Sequence, residues 1–215
     1  MDVQLLISLA VIHTIALASP GPDFALVVRI STQENRAVAI ASAAGISVAI
    51  LAHTLLSLTG LSLITQSYEP LFILVQLIGA SYLAWMGLGA ASAAGAALSH
   101  WRDPVVLEKL QQSQGLSIRK GFLQGLYTNL LNPKALVFFI TLFSTLITPQ
   151  VSFATKSAAV LLLFTLSIFW FSFIAMVLTK PKIQIKLKRA TPIINLVTGL
   201  VFISVALVII TGVIL

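Results

Sequence analysis

The sequence has no cysteine and very little charge of either sign. Without thiols, disulfides, thiolate metal sites and cysteine nucleophiles are excluded. The three histidines (His13, His53 and His100) are scattered, so a multi-histidine zinc site goes with them and no metal is expected. Charged residues make up 9% of the 215, and only six are acidic. An ordinary globular chain carries about 25% charged residues. So few charges cannot cover a soluble surface of this size. What the sequence does have is 58% hydrophobic residues and a mean hydropathy of +1.04. The chain reads as an integral membrane protein, with the lipid bilayer as its surroundings.

The net charge of +7 could suggest nucleic acid, but the basic residues sit between long apolar runs. That is how a membrane protein sets its orientation, and no nucleic-acid partner is expected. A transmembrane helix needs about 20 apolar residues. Six are expected, at about 3–29, 38–65, 70–96, 119–147, 156–179 and 192–214. Ala16-Leu17-Ala18 has the look of a signal-peptide cleavage site. The leading Met-Asp-Val-Gln lacks the positive end of a signal, so the first run is expected to stay as a span.

Arg29, Arg36, Arg102, Lys109, Arg119, Lys120, Lys180, Lys182, Lys186, Lys188 and Arg189 then fall in loops on one side, with Lys156 alone on the other. The positive side is cytoplasmic, so both termini are expected to face outward. Asp103-Pro104 has the pattern of an N-cap followed by a first helical residue, opening a short interfacial stretch in the linker 99–118. The small-residue run Ala90–Leu98 suits an extension of helix 3 or close helix packing.

Two motifs stand out inside the spans. Ser19-Pro20-Gly21-Pro22-Asp23 breaks helix 1, because each proline removes a helical N–H and clashes with a preceding carbonyl. Gly21 between them is expected to let the backbone turn freely. Irregular backbone at membrane depth survives where it is buried in protein or lines a wet cavity. Pro22 suits the first position of the restarted helix, which places Asp23 in its first turn, where the dipole favours an anion. Helix 4 carries the partner, Asn129-Leu130-Leu131-Asn132-Pro133-Lys134, with Asn132 as N-cap and Pro133 as first residue.

Pro22 and Pro133 occupy matching places in two three-helix halves, 1–98 and 119–215. An odd number of spans per half inverts the second half across the membrane, as in many secondary transporters. The expected fold is therefore an all-α membrane protein of two inverted three-helix repeats. Lys134 becomes the counterpart of Asp23, and both face the pseudo-twofold axis. Two readings compete: a static ion pair that orients the halves, or a site for a zwitterion. For Asp23 alone, a structural kink facing the headgroups is the bland alternative. His53 is either a proton relay or a packing histidine. His13 reads as structural. Gly121 and Gly125 form a GxxxG, which permits close helix approach but recurs by chance.

SPGPDFALVV, GISVAILAHTLLSLTGL, GASYLAWMG and GFLQGLYTNLLNPKALVFF resemble the LysE/RhtB amino-acid exporters. The likeness runs from helix 1 through helix 4; helices 5 and 6 match in hydropathy. ASPGPDF and TNLLNPKA are most similar to the threonine/homoserine exporter type. The resemblance implies a bacterial inner-membrane carrier that exports amino acids against proton uptake, with Ser19, Pro20, Gly21, Pro22, Asp23, Asn129, Asn132, Pro133 and Lys134 as its motif residues.

The expected function is export of small neutral amino acids without a cofactor. Asp23 takes the ammonium and couples to protons, with His53 as a second proton-handling residue. Lys134 takes the carboxylate, and Ser19, Gly21, Asn129 and Asn132 complete the site. The rival is an exporter or channel for another small solute, such as a cation or metabolite. An intramembrane enzyme is not expected: there is no GxSG and no HExxH. A homo-oligomer is left open.

Overall fold

The computed structural model describes residues 1–67, 69–99, 115–147, 150–177 and 181–214. Among the described residues every regular element is a helix: α1 (Val3–Ala18), α2 (Pro22–Gln33), α3 (Arg36–Ser67), α4 (Glu69–Ser99), α5 (Ile118–Leu130), α6 (Pro133–Leu146), α7 (Phe153–Val177) and α8 (Pro181–Ile214). The helices α3, α4, α7 and α8 contain the long apolar spans. The pairs α1–α2 and α5–α6 are each bent by the same 57°. Counted as one broken span apiece, they bring the total to the six expected.

Both breaks follow from their sequences. Helix α1 ends where Ser19 turns extended and donates its N–H back to the Ala16 carbonyl (3.2 Å). Pro20 and Pro22 have no N–H to continue the ladder. Gly21 is extended (φ −172°, ψ −174°), a conformation open to any residue. The expected freedom of Gly21 is therefore not what turns the chain; the prolines do that. Pro22 opens α2, and the Ala25 N–H donates to the Gly21 carbonyl (2.9 Å). In the second half the Asn132 side chain caps α6, accepting from the Lys134 N–H (3.0 Å), and Pro133 takes the first position.

Helix α8 starts earlier than expected, at Pro181 and not at 192. The stretch assigned to a basic loop is its first turns. Lys, Gln and Leu are good helix formers, and long basic side chains carry their charge out to the headgroups. Pro192 lies buried inside α8 and leaves the Lys188 carbonyl without its usual donor. The neighbouring Thr191 hydroxyl donates to the Leu187 carbonyl (3.0 Å), as hydroxyls do where proline interrupts a membrane helix. The Ala-rich run continues α4 to Ser99. Asp103-Pro104, most of the 99–118 linker and Lys180 lie outside the described residues. At the linker's end Ser117 caps α5, accepting from the Lys120 N–H (3.3 Å), and the Leu116 N–H donates to the Glu34 carboxylate (3.3 Å).

Helix α3 is central. In its apolar window 61% of residues are buried, against 22–28% for the other three. It packs on α5, α7, α6 and α2, while α4 and α8 pair with each other. The GxxxG of α5 proves to be a packing seam. A Cβ at Gly125 would run into the Ser42 carbonyl, and one at Gly45 into the Phe122 carbonyl. Only hydrogen at these positions lets α3 and α5 approach so closely. The two broken spans thus meet around α3, with their breaks facing each other.

Candidate functional site

The two breaks deliver their polar residues to one place. Ser19, Gly21, Asp23, Asn129, Asn132 and Lys134 all line a single cavity of about 50 Å³, together with Pro22. Asp23 enters from the first turn of α2, and Lys134 from the first turn of α6. Pro20 lines a neighbouring cavity. Pro133 holds the first position of α6 and so sets where Lys134 emerges.

The two charges do not pair. Asp23 Oδ2 accepts hydrogen bonds from the Nδ2 groups of Asn129 (3.0 Å) and Asn132 (3.3 Å). Lys134 Nζ donates to Ser19 Oγ (2.8 Å) and lies 5.8 Å from the centre of the Phe202 ring, within cation–π range. Each charge is hydrogen-bonded by neutral groups from the opposite half. A static ion pair locking the halves is not what these contacts form. The second carboxylate oxygen, Asp23 Oδ1, is buried and receives no hydrogen bond from the protein. Buried acceptors are nearly always satisfied, so an unmade bond here marks a place for a donor.

Gly21 contributes room. A Cβ at this position would stand 3.5 Å from Lys134 Nζ, within ordinary contact but against the ammonium. Asn129 and Asn132 are buried. They present amide donors to Asp23 without adding charge. In a low-dielectric interior such donors act on an anion more strongly than they would in water.

His53 stands behind the cavity. Its Nε2 lies 3.2 Å from the Asn129 carbonyl, and its ring stacks on Phe139 (centroids 6.0 Å, planes 7° apart). Asn129 links it by hydrogen bonds to Asp23. His13, read from the sequence as structural, lines the cavity itself, and its Nε2 lies 2.8 Å from Ser167 Oγ of α7. Both roles hold: it ties α1 to α7 and faces the site. The remaining wall is apolar, and five of its residues are phenylalanines: Phe24, Phe138, Phe139, Phe171 and Phe202. Nothing in the sequence singled these out, because apolar aromatics on membrane helices are common and their convergence is tertiary. Among the described residues no group of three or more His, Cys, Asp or Glu side chains is arranged to hold a metal ion.

The profile of the LysE type translocator family matches residues 14–212. The chain belongs to this family. The match extends through helices α7 and α8, where the motif resemblance was limited to hydropathy. Among similar proteins, the threonine efflux protein of Salmonella typhimurium (strain LT2) is 31% identical over 203 residues, 93% of this chain and 94% of that one. The threonine efflux protein of Escherichia coli K12 is 28% identical over 199 residues, again 93% and 94%. The homoserine/homoserine lactone efflux protein of Salmonella typhimurium is 31% identical over 137 residues, 64% of this chain and 62% of that one. No solved structure matches the chain. As a LysE type translocator the protein is a multi-pass membrane transporter and not an enzyme.

Proposed function

We propose that the protein exports small neutral amino acids, threonine- or homoserine-like, from the cytoplasm in exchange for protons. The observation that carries this is an anion with a free buried oxygen and a cation held only by neutral partners, facing one cavity. A zwitterion needs one of each. Asp23 Oδ1 receives the ammonium. Lys134 Nζ, with donors left after its bond to Ser19, receives the carboxylate. The aromatic wall suits a small side chain without net charge. The names of the relatives point to the same substrate class.

Coupling follows from the same carboxylate. A proton delivered to Asp23 from outside removes the charge that holds the ammonium, so substrate leaves on that side. The proton then returns inward with the empty carrier. This makes the protein an antiporter, with His53 a second proton-handling residue through Asn129. The halves 1–98 and 119–215 move against each other about the fixed site, as inverted repeats do. The basic face is cytoplasmic, and both termini are periplasmic in a bacterial inner membrane.

The experiment is counterflow in proteoliposomes preloaded with unlabelled amino acid. Radiolabelled threonine and homoserine are expected to accumulate transiently, and lysine is not. Absence of counterflow with every amino acid, alongside flux of an inorganic cation, would replace this reading with the channel or cation-exporter alternative.

A further inference from the structure

Next to the cavity that holds Asp23 lies a much larger one, about 740 Å³, where the break between α1 and α2 and the start of α6 face the packed pair α4 and α8. The two share Ser19, Lys134 and Phe202. The inner cavity has room on the scale of a few waters, whereas sites for small ligands measure about 300–1,000 Å³. An amino acid held at Lys134 must therefore extend into the larger space.

The lining of that space is uneven. It includes Trp85 and Ser92 of α4 and Asn195 of α8, and no acidic residue. Its one fixed charge is Lys134, at the deep end. Asn195 and Phe202 are an i, i+7 pair, so they share a face of α8. Asn195 lies about 10 Å further along the axis toward the start of that helix. That is the end where Lys186 and Arg189 are exposed. The cavity thus runs from Lys134 toward the basic face of the molecule.

Asn195 is a polar group inside the apolar window Arg189–Ile214. Its amide is half-buried, and among the described residues it makes no hydrogen bond. Ser92, by contrast, is satisfied, its hydroxyl donating to the Gly89 carbonyl (2.9 Å). An amide at membrane depth is costly unless it meets water or a ligand. It has two donors and an acceptor, so it can meet any polar end of a zwitterion without trapping it by charge.

We infer that this larger space is an aqueous vestibule opening on the basic face, and that Asn195 is a substrate-contact residue within it. Substrate enters carboxylate first, drawn by Lys134, and Asn195 bonds its trailing polar groups. This rests on the transport reading above for the identity of the substrate, but not for the existence of the vestibule.

Both parts are testable on the full-length protein, with threonine as probe. In sealed vesicles of either orientation, Asn195→Leu is expected to raise KM about three- to tenfold for threonine offered from the basic face, the loss of one hydrogen bond. The maximal rate and the KM from the other face should stay within about twofold of wild type. Asn195→Ser, which keeps a donor and an acceptor, should fall between the two, and it serves if the leucine variant is poorly expressed. A KM unchanged in both variants, or raised equally from both faces, overturns the contact.

The chain has no cysteine, so Ala93→Cys on the cavity wall gives a single label site. A membrane-impermeant thiol reagent should modify it from the basic face only, and threonine should slow the reaction. A cysteine that the aqueous reagent cannot reach from that face overturns the vestibule. If wild-type protein carries no amino acid, the proposed function fails on its own. Labelling from the basic face would then still uphold the vestibule, and lack of it would remove both.

Discussion

Replacing Asp23 by Asn keeps the shape of the side chain and removes its charge, and the structure fixes what should follow. Two neutral donors, Asn129 at 3.0 Å and Asn132 at 3.3 Å, hold one carboxylate oxygen. Hydrogen bonds to a charged group contribute about 1.5–3 kcal/mol, and neutral ones about 0.5–1.5. The Asn variant loses charge assistance in both bonds, roughly 2 kcal/mol, but it no longer buries an anion, which offsets part of this. Lys134 loses the attraction of the Asp23 charge but keeps its bond to Ser19 (2.8 Å) and its place over Phe202. The net change in folding stability should therefore stay within about 1–2 kcal/mol, well short of the 3–5 kcal/mol for breaking a buried ion pair. Transport should respond differently. The substrate ammonium would face a neutral amide in place of a carboxylate, and losing a buried charge pair of about 3–5 kcal/mol corresponds to roughly 10²- to 5 × 10³-fold weaker coupling to substrate. The assays are thermal unfolding of the purified protein in detergent and threonine counterflow in proteoliposomes. Counterflow within threefold of wild type would refute the assignment of Asp23 to the ammonium. A collapse of folding in Asp23→Asn that is rescued by adding Lys134→Met would refute the claim that neutral partners hold the two charges separately.

Other outcomes follow from the same geometry. Gly125→Ala drives a Cβ into the Ser42 carbonyl on α3, so it should lower thermal stability by about 1–3 kcal/mol, read from the melting temperature, while Gly60→Ala, which meets nothing, should not. His53→Gln keeps a donor for the Asn129 carbonyl but does not titrate. Proton-driven export should fall while counterflow persists, and equal loss of both would make His53 a packing residue. A cysteine introduced at Ser113 should be labelled from the cytoplasmic side only, and one at the C-terminal end from the periplasmic side. The reverse pattern would overturn the orientation.

Much of this was legible in the sequence because the bilayer is a severe solvent. Scarce charge and long apolar runs set the class and the six spans. Proline acts through its own covalent structure, so Pro20, Pro22 and Pro133 marked both breaks wherever the rest of the chain went. Asn132 and Pro133 read correctly as cap and first residue, since capping is a local matter. Asp23 and Lys134 stood out because ionisable groups at membrane depth are too costly to be incidental.

What only the tertiary structure decided is how these groups meet. Sequence spacing could not tell an ion pair from two charges held apart, because the choice rests on Ser19, Asn129 and Asn132 reaching across from the opposite half. His13 and the five phenylalanines became a wall by convergence of separate helices, which leaves no local signal. The GxxxG of α5 gained meaning only once Ser42 lay opposite it. The start of α8 was misplaced because charge was taken to mean loop, although lysines on a helix leaving the membrane reach water through their own length. Local chemistry fixed where the chain breaks and where charge is buried; packing around α3 fixed which charge faces which neighbour, and therefore what the cavity can hold.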